Sequence, residues 1–312
     1  MISVAMTTYN GAQYITEQLD SIRMQTRKVD EVVIVDDGSH DNTVELVRAF
    51  EKQHPECGIR LEVNEVNLGF KKNFYKAMSL CGGDVIFLCD QDDIWKENKV
   101  AVLTELLESN SNIGLISSSF IQIDSDGKEV SSNKSAYMRK MEEGNLYSVP
   151  LRDLIFHNVS QGCAMVFRKE VRDVYLKFFT DELPHDWALN VVAAMEKKCY
   201  YLNSPMFYYR IHGKNTIGLN EGLTLKKKNS VEVRTYDAKQ AMKVLCLIEH
   251  INNSFCLENP WLEQMRRFSE NHIRYLEKRN FIRILLQNFN PYYKRLKTVR
   301  GRLLDMFFCV KK

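Results

Sequence analysis

The stretch "DVIFLCDQDDIW" (84–95) changes character at its midpoint. Residues 85–89 are apolar, whereas Asp90, Asp92 and Asp93 place three carboxylates within the next four positions. An uninterrupted apolar run of this length is typical of a strand that is buried on both faces of a parallel sheet. Carboxylates this close repel one another, so the cluster predicts a divalent cation, a shared proton or a cationic ligand at the end of the strand.

Two earlier apolar runs end in the same way. "ISVAM" (2–6) leads into Thr7, Thr8, Tyr9 and Asn10, and "EVVIV" (31–35) leads into two further aspartates. Patterns with helical spacing lie between the runs, and "GLISSSFIQID" (114–124) adds another strand. Residues 1–120 therefore predict a doubly wound α/β fold, with a mainly parallel sheet and helices on both faces. Because parallel strands bind ligands at their carboxyl ends, we expect the polar ends to form one crevice.

The composition bounds the class of protein. The chain has 312 residues, is 45% hydrophobic and 27% charged, and carries a net charge of only +3, which argues against a nucleic-acid partner. No apolar run approaches the roughly 20 residues of a membrane span, and the first ten residues resemble a strand rather than a signal peptide. The eight cysteines form no CxxC pair, so we expect free thiols and a cytoplasmic protein.

The last third of the chain is different. Residues 261–312 contain 13 Lys and Arg but only 4 Asp and Glu, within patterns that predict helices. We predict a catalytic domain over 1–220 and a helical, basic extension over 221–312. Two interpretations of the tail at 291–312 stay open: it lies on anionic lipid at the inner face of the cell membrane, or it packs on its own domain as a solvated basic tail. The extension is also a candidate surface for homo-oligomer formation.

The acidic cluster favours particular ions and substrates. Ile94 breaks the pattern of a calcium-binding loop, whereas Mg²⁺ and Mn²⁺ bind a few carboxylates and complete their shell with phosphate oxygens. The dinucleotide and P-loop glycine motifs are both missing after the first strand. A pyrimidine nucleoside diphosphate fits instead, because Asp36 or Asp37 could accept the imide N–H of the base and Tyr9 could stack on its ring.

Four motifs in this order, "TTYNG" (7–11), "VDDGSHDNT" (35–43), "NLGF" (67–70) and "DQDD" (90–93), resemble the inverting family 2 glycosyltransferases with the GT-A fold. The resemblance covers about residues 1–220, and "CDQDDIWKENK" (89–99) is most similar to the rhamnosyltransferase-like subgroup. It implies Mn²⁺ or Mg²⁺ held by Asp90, Asp92 and His212. The donor-binding residues that it implies, together with the strand-end candidates, are Thr7, Thr8, Tyr9, Asn10, Asp36, Asp37, Lys72, Asp90, Gln91, Asp92 and Arg210. Lys214 is an alternative phosphate contact, His212 could instead be structural, and Lys72 could lie on a solvated helix face.

An inverting transfer needs one base, and "ELPHDWALNVVAAM" (182–195) supplies Asp186 at the start of a predicted helix. The family usually has Glu-Asp here, whereas this chain has His185 before the aspartate. A helix cap is the simpler alternative for Asp186, and the two roles are compatible. Asp93 could bind the metal, bind a sugar hydroxyl or cap a helix starting near Trp95. The residues with a predicted acceptor or sugar contact are Asp93, Trp95, Gly162, His185 and Trp187, with core packing open for both tryptophans.

These features together predict a metal-dependent inverting glycosyltransferase. The donor predicted by the subgroup resemblance is dTDP-L-rhamnose, with UDP-hexose or UDP-N-acetylhexosamine as alternatives. The predicted acceptor is a polysaccharide or a lipid-linked glycan. A sugar nucleotidyltransferase fits less well, because "TTYNGAQY" (7–14) lacks the glycine-rich loop with an arginine that this class carries. A non-catalytic subunit that binds nucleotide sugars is the alternative from another class.

Overall fold

A computed structural model describes residues 1–130, 141–213, 230–255 and 260–310. In this part of the chain a single sheet contains nine strands in the order β3-β2-β1-β4-β8-β6-β9-β5, with β7 paired to β9. The strands are β1 (Ile2–Thr8), β2 (Glu31–Asp36), β3 (Ile59–Val63), β4 (Val85–Cys89), β5 (Ile94–Trp95), β6 (Leu115–Ile123), β7 (Leu146–Ser148), β8 (Met165–Arg168) and β9 (Cys199–Arg210).

The first four strands in the sheet order are parallel, as the alternating pattern predicts. β1 lies at the centre, with Thr8 opposite Asp36 of β2 and Met6 opposite Cys89 of β4. The carboxyl ends of these strands therefore lie side by side. Beyond β4 the sheet is mixed, because β8 runs antiparallel to both β4 and β6, while β6 and β9 are parallel.

Twelve helices cover the sheet and form the C-terminal region within the described residues. They are α1 (Ile15–Arg23), α2 (Thr43–Gln53), α3 (Phe70–Leu80), α4 (Lys99–Ser109), α5 (Leu151–Leu154), α6 (Lys169–Lys177), α7 (His185–Met195), α8 (Val231–Phe255), α9 (Pro260–Glu277), α10 (Phe281–Gln287), α11 (Pro291–Leu296) and α12 (Val299–Val310). The helix expected near Trp95 begins at Lys99 with Asn98 at its cap position, so the suggestion that Asp93 caps it is wrong. Trp95 belongs to β5, which pairs with β9, and α4 begins four residues later.

The sheet is buried on both faces. All four residues from Val32 to Val35 are at most 1% exposed, so neither set of alternating side chains meets solvent. Helix α1 covers one face through Ile15, Leu19 and Ile22, which belong to the same core cluster as Val4 and Met6. Burial of this kind explains why these strands are continuous apolar runs rather than alternating ones.

The chain divides into two compact units. The first comprises residues 1–150 and 159–215, and the second comprises 151–158 and 216–312. The predicted domain boundary at 220/221 lies outside the described residues. The second unit is helical, and its interior contains polar groups: the Tyr293 hydroxyl donates to Asp305 Oδ2 (3.0 Å), and His272 Nδ1 lies 2.8 Å from Gln287 Oε1. Among the described helices, none has both the length and the apolarity that crossing a membrane requires.

Candidate active site

The loop after β2 is built around Asp36, which is fully buried. Its Oδ2 accepts hydrogen bonds from the hydroxyls of Thr8 (2.7 Å) and Ser39 (2.6 Å), and its Oδ1 accepts from the Ser39 N–H (2.8 Å). The carboxylate therefore joins the ends of β1 and β2 and fixes the turn that follows. Its oxygens are directed at protein donors.

Asp37 holds the "NLGF" loop in a similar way. Its Oδ1 accepts from the Leu68 N–H (2.7 Å) and from Asn64 Nδ2 (2.9 Å), and its Oδ2 accepts from the Gly69 N–H (2.9 Å). Gly69 has a φ of 79°, a backbone conformation that favours glycine, and α3 begins at the next residue. The two aspartates thus order the crevice wall, and Asp37 is only 3% exposed.

The ends of β1 and β4 are connected through Gln91. Its side chain accepts from the Tyr9 N–H (2.8 Å) and donates to the Tyr9 carbonyl (3.0 Å). Tyr9 is 44% exposed, and Asn10 has a positive φ of 49° while its Oδ1 accepts from the His40 N–H (2.8 Å). The backbone of the first loop is therefore fixed, and the Tyr9 side chain is left accessible.

The three predicted acids follow β4, and Asp92 has different neighbours from Asp90 and Asp93. Asp90, Asp93 and Cys163 each place one potential ligand atom within 4.8 Å of the other two. Burial, followed by the charge of Asp92, raises the pKa of Asp90 to about 7. Asp93 is 1% exposed, and burial followed by the charges of Asp92 and Asp90 raises its pKa well above the usual value. Its Oδ2 has no hydrogen-bond partner among the described residues.

Asp92 is paired with His212. His212 Nε2 lies 2.7 Å from Asp92 Oδ2, and both side chains are 13% exposed. The Tyr14 ring lies 5.1 Å from the imidazole, measured between ring centroids. His212, which is 120 residues away in the chain, therefore reaches the carboxylate that the resemblance pairs it with.

Arg210 is buried rather than directed into the crevice, with a side chain 2% exposed. Its Nε donates to the Asp92 carbonyl (2.8 Å), its backbone N–H donates to Asp93 Oδ1 (3.1 Å), and its Nη2 donates to Glu17 Oε2 (2.6 Å). The guanidinium also lies 4.5 Å from the centroid of the Tyr14 ring. These contacts hold the acidic loop in place, so the structure gives Arg210 a positioning role toward Asp92 and Asp93.

Lys99, which the sequence analysis does not single out, lies fully buried beneath the cluster. Its ammonium donates to the Cys163 carbonyl (2.9 Å) and lies 4.0 Å from the centroid of the Trp95 ring. Burial lowers its pKa to about 8. One signal in the sequence could have identified it: Lys99 precedes Leu103 and Leu107 by four and eight residues, on the buried face of α4.

Asp186 occupies the first turn of α7, and its Oδ1 accepts from the Trp187 N–H (2.7 Å). The helix cap position is taken by Pro184 instead. The charge of Asp186 is a minor contribution to the raised pKa of Asp90, after burial and the charge of Asp92. The role of Asp186 as the catalytic base stays a prediction.

The predicted acceptor residues are largely buried. His185 is 6% exposed and stacks on Phe74, with ring centroids 4.1 Å apart. A Cβ on Gly162 would lie 2.4 Å from His185 Nε2, so glycine allows the imidazole to sit there. Trp95 and Trp187 are 3% and 7% exposed. These positions match the core-packing alternative for the tryptophans, and the acceptor roles stay predictions.

Lys72 forms an ion pair with Asp181 (3.1 Å), while the Lys71 ammonium donates to the carbonyl of the same residue. The two lysines at the start of α3 thus contact the segment that precedes α7. Lys214, the alternative phosphate contact, lies outside the described residues.

The comparisons with known proteins agree with this geometry. A family model described as glycosyl transferase family 2 matches residues 3–174. The chain belongs to glycosyl transferase family 2. The dTDP-rhamnosyl transferase RfbG of Shigella flexneri is 31% identical over 242 residues, which cover 73% of this chain and 79% of that protein. The chain is thus a glycosyltransferase, and this prediction is confirmed.

Solved structures show the same fold. The Staphylococcus aureus TarS fragment 1–349 in complex with UDP-GlcNAc superposes with a TM-score of 0.59 at 17% identity, covering 97% of this chain and 90% of that one. The mannosyltransferase PcManGT from Pyrobaculum calidifontis, in complex with GDP-Man and Mn²⁺, gives a TM-score of 0.55 at 18% identity, covering 98% and 86%. The predicted GT-A fold class is confirmed.

Proposed function

We propose that this family 2 enzyme transfers a sugar, with inversion, from a nucleoside diphosphate donor to a hydroxyl of a polysaccharide or a lipid-linked glycan. The observation that carries the proposal is the acidic site at the end of β4, where Asp90, Asp93 and Cys163 place ligand atoms within 4.8 Å of one another, together with the Asp186 carboxylate in the first turn of α7. One carboxylate acts as the base. The others would hold the divalent cation that binds the diphosphate of the donor. A helix start and a strand end supply these two functions at one site.

In this reaction the acceptor oxygen attacks the anomeric carbon, and the bond from that carbon to the phosphate oxygen breaks. The proton of the acceptor hydroxyl goes to Asp186, and the electron pair leaves with the nucleoside diphosphate. Asp186 is proposed as the base because its carboxylate lies in the first turn of α7, within the motif that supplies the base in the family.

The acids fit a hard divalent cation. Asp90, Asp92 and His212 would hold Mn²⁺ or Mg²⁺, which when bound neutralises the charge that develops on the departing diphosphate. Cys163 is the misfit in this group, because burial raises the pKa of its thiol and keeps it protonated. The buried, unpartnered Oδ2 of Asp93 makes this residue a further candidate ligand within the described part of the chain.

The proposed donor is dTDP-L-rhamnose. The similarity to the rhamnosyl transferase RfbG supports this sugar, and the exposed Tyr9 side chain is available to stack on a pyrimidine. UDP-hexose and UDP-N-acetylhexosamine remain the alternatives. Thermal denaturation of the purified protein with Mn²⁺ and a panel of nucleotide sugars distinguishes them, because the true donor should give the largest shift.

The acceptor and the site of action form a second part of the proposal. A lipid-linked acceptor would be met at the inner face of the cell membrane, and the basic C-terminal helices support peripheral association there. Association of two copies through the same region is the alternative.

Asp186→Asn tests the proposed base. The substitution keeps the size of the side chain, so binding of the nucleotide sugar with Mn²⁺ should be retained while sugar transfer is lost. Asp126→Asn, on an exposed turn, is the matched control and should retain most of the transfer rate. Substantial turnover by Asp186→Asn would exclude this residue as the base. A wild-type protein that binds the donor but neither transfers nor hydrolyses it would indicate the non-catalytic subunit.

A further inference from the structure

Helix α10 and the turn after it expose five large apolar side chains, of which Phe281, at 38%, is the least exposed. The other four lie together. Ile282, Leu285, Leu286 and Phe289 are 68%, 43%, 52% and 84% exposed. They follow one another at intervals of three, one and three residues, which places them on one side of a helix. Ile284, on the other side, is fully buried. The helix is therefore apolar on its outer face as well as its inner one.

Helix α12 repeats this arrangement. Val299, Leu303 and Val310 are 65%, 57% and 65% exposed, and their spacing of four and seven residues puts them on one stripe. Phe308 faces inward instead and is 7% exposed, in a cluster with Leu276 and Ile284. Burial on one side and exposure of aliphatic side chains on the other is the pattern of a helix that covers a core and also meets an apolar environment.

The two helices form one ordered structure. Asn288, just after α10, accepts a hydrogen bond from Arg302 Nη1 (3.1 Å) and donates from its Nδ2 to Met306 Sδ (3.8 Å). The buried Ile284 and Phe308 join the helices from the inside. The exposed apolar residues of α10 and α12 are thus held by a folded scaffold. We call them, with Phe289, the α10–α12 face.

The exposed charges within residues 278–310 have one sign, and the exposed acid Glu277 precedes this stretch at the end of α9. Residues 278–310 include eight Lys and Arg but a single acid, Asp305, which is fully buried. Lys278, Arg283, Lys294 and Arg300 are exposed. Every exposed charged side chain in this stretch is therefore basic, among the residues that the structure describes. A surface of this kind is complementary to a negatively charged one.

We propose that the α10–α12 face docks on the surface of an anionic lipid bilayer. The apolar side chains enter the boundary between headgroups and acyl chains, and the basic side chains contact lipid phosphates. A symmetric dimer through the same face would bring the like charges of two copies together, which opposes association. The inference rests on the proposed peripheral association with the cell membrane, and it identifies the α10–α12 face as the surface that makes the contact.

Vesicle co-sedimentation of the full chain tests the proposal. The protein should bind phosphatidylglycerol vesicles, bind phosphatidylcholine vesicles more weakly, and lose affinity as salt rises. The double variant Leu285→Gln/Phe289→Gln should reduce the partition into anionic vesicles by about tenfold or more. The triple variant Arg283→Gln/Lys294→Gln/Arg300→Gln should reduce the preference for anionic lipid, since Lys278 and two further exposed arginines remain. Met24→Gln/Val66→Gln changes two apolar residues of the first unit that are 53% and 65% exposed, and it should leave partition unchanged.

Three results would overturn the proposal: no binding of the wild type to anionic vesicles, equal binding by the Leu285→Gln/Phe289→Gln variant, or an equal loss in the Met24→Gln/Val66→Gln control. Light scattering without lipid tests the alternative partner of this face, which is a second copy of the chain. A dimer that the first double variant converts to monomer, with no vesicle binding, would assign the face to a second copy. Mn²⁺-dependent nucleotide binding in vesicle-free buffer should be equal in all variants, so a failure of the lipid proposal is distinguishable from a failure of the donor proposal.

Discussion

At the scale of single residues, His185 shows how an ionisable group can be kept neutral inside the fold. Burial lowers the pKa of its imidazole to about 3, and both ring nitrogens are without hydrogen-bond partners in the described part of the chain. In the unfolded chain the same group binds a proton below about pH 6.5. The unfolded state therefore binds more protons between these two values, and the stability of the fold should decline as pH falls from 6.5 toward 3.

His185→Leu should remove this part of the acid sensitivity. Between pH 7 and pH 4.5 the wild type should lose about 2–3 kcal/mol more free energy of unfolding than the variant does, as measured by denaturant titration. His40→Leu is the control, because His40 is exposed and its replacement should leave the pH dependence as it is. Equal losses in the wild type and His185→Leu would contradict a neutral buried imidazole.

Lys99 provides a fixed positive charge beside the acids. Its replacement by methionine keeps the length and the apolar packing against Trp95 but leaves the cluster without its buried cation. We expect Lys99→Met to weaken binding of Mn²⁺ with nucleotide by about tenfold, because fewer of the carboxylates stay ionised at neutral pH. Calorimetry measures this. Lys96→Met, whose ammonium lies 5.6 Å from the centroid of the Tyr208 ring, should bind as the wild type does. Unchanged affinity in Lys99→Met would remove Lys99 from the site.

At the scale of elements, the end of β9 locks the loop that follows β4. Arg210→Lys would lose the fork that spans the Asp92 carbonyl and Glu17. We expect the free energy of unfolding to fall by about 2 kcal/mol, since the partly buried Asp92 carbonyl and the Glu17 carboxylate lose their donors, and nucleotide binding to weaken along with it. Glu17→Gln removes a partner that is 55% exposed and should cost under about 1 kcal/mol. If Arg210→Lys lowers the free energy of unfolding no more than Glu17→Gln does, Arg210 does not hold the loop after β4 in place.

The elements that could be predicted from sequence are those defined by local pattern. The continuous apolar runs of β1, β2 and β4 and the spacing of Ile15, Leu19 and Ile22 each identify an element without distant contacts. The polar strand ends follow from the same runs, so the convergence of Thr8, Asp36 and Asp90 could be expected. The pairing of β5 with β9 could not, because a two-residue strand has no periodicity and its partner is more than a hundred residues away.

The orientation of side chains within the site could not be predicted from the sequence either. Asp36 and Asp37 both follow an apolar strand, yet their oxygens are committed to Thr8, Ser39, Leu68 and Gly69, which come from three different segments. Arg210 looked like a phosphate ligand because arginine often is one. Its actual acceptors are carbonyls and a carboxylate supplied by residues 85 to 193 positions away, and no local pattern records them.

At the scale of the whole molecule, the acid cluster should respond to ligands as a unit. Mn²⁺ together with nucleotide should raise the melting temperature more than Mn²⁺ alone, because the diphosphate completes the coordination of the ion. At a hundredfold excess over Kd the expected stabilisation is about 2.7 kcal/mol. Asp92→Ala should abolish the shift, whereas Asp126→Ala, on an exposed turn, should retain it. An equal shift with metal alone would mean that the ion binds without the diphosphate.

The pairing of β5 with β9 also orders events during synthesis of the chain. Strands β1 to β4 are complete by residue 89, so the parallel half of the sheet can assemble while the ribosome is still extending the chain. The backbone N–H that binds Asp93 belongs to Arg210, which is synthesised 117 residues later. The imidazole that pairs with Asp92 belongs to His212, which is synthesised 120 residues later. A nascent chain halted between residues 93 and 210 would contain the Asp92 and Asp93 carboxylates without these two contacts. If the proposed function holds, we expect nucleotide-sugar binding only after the end of β9 has left the exit tunnel.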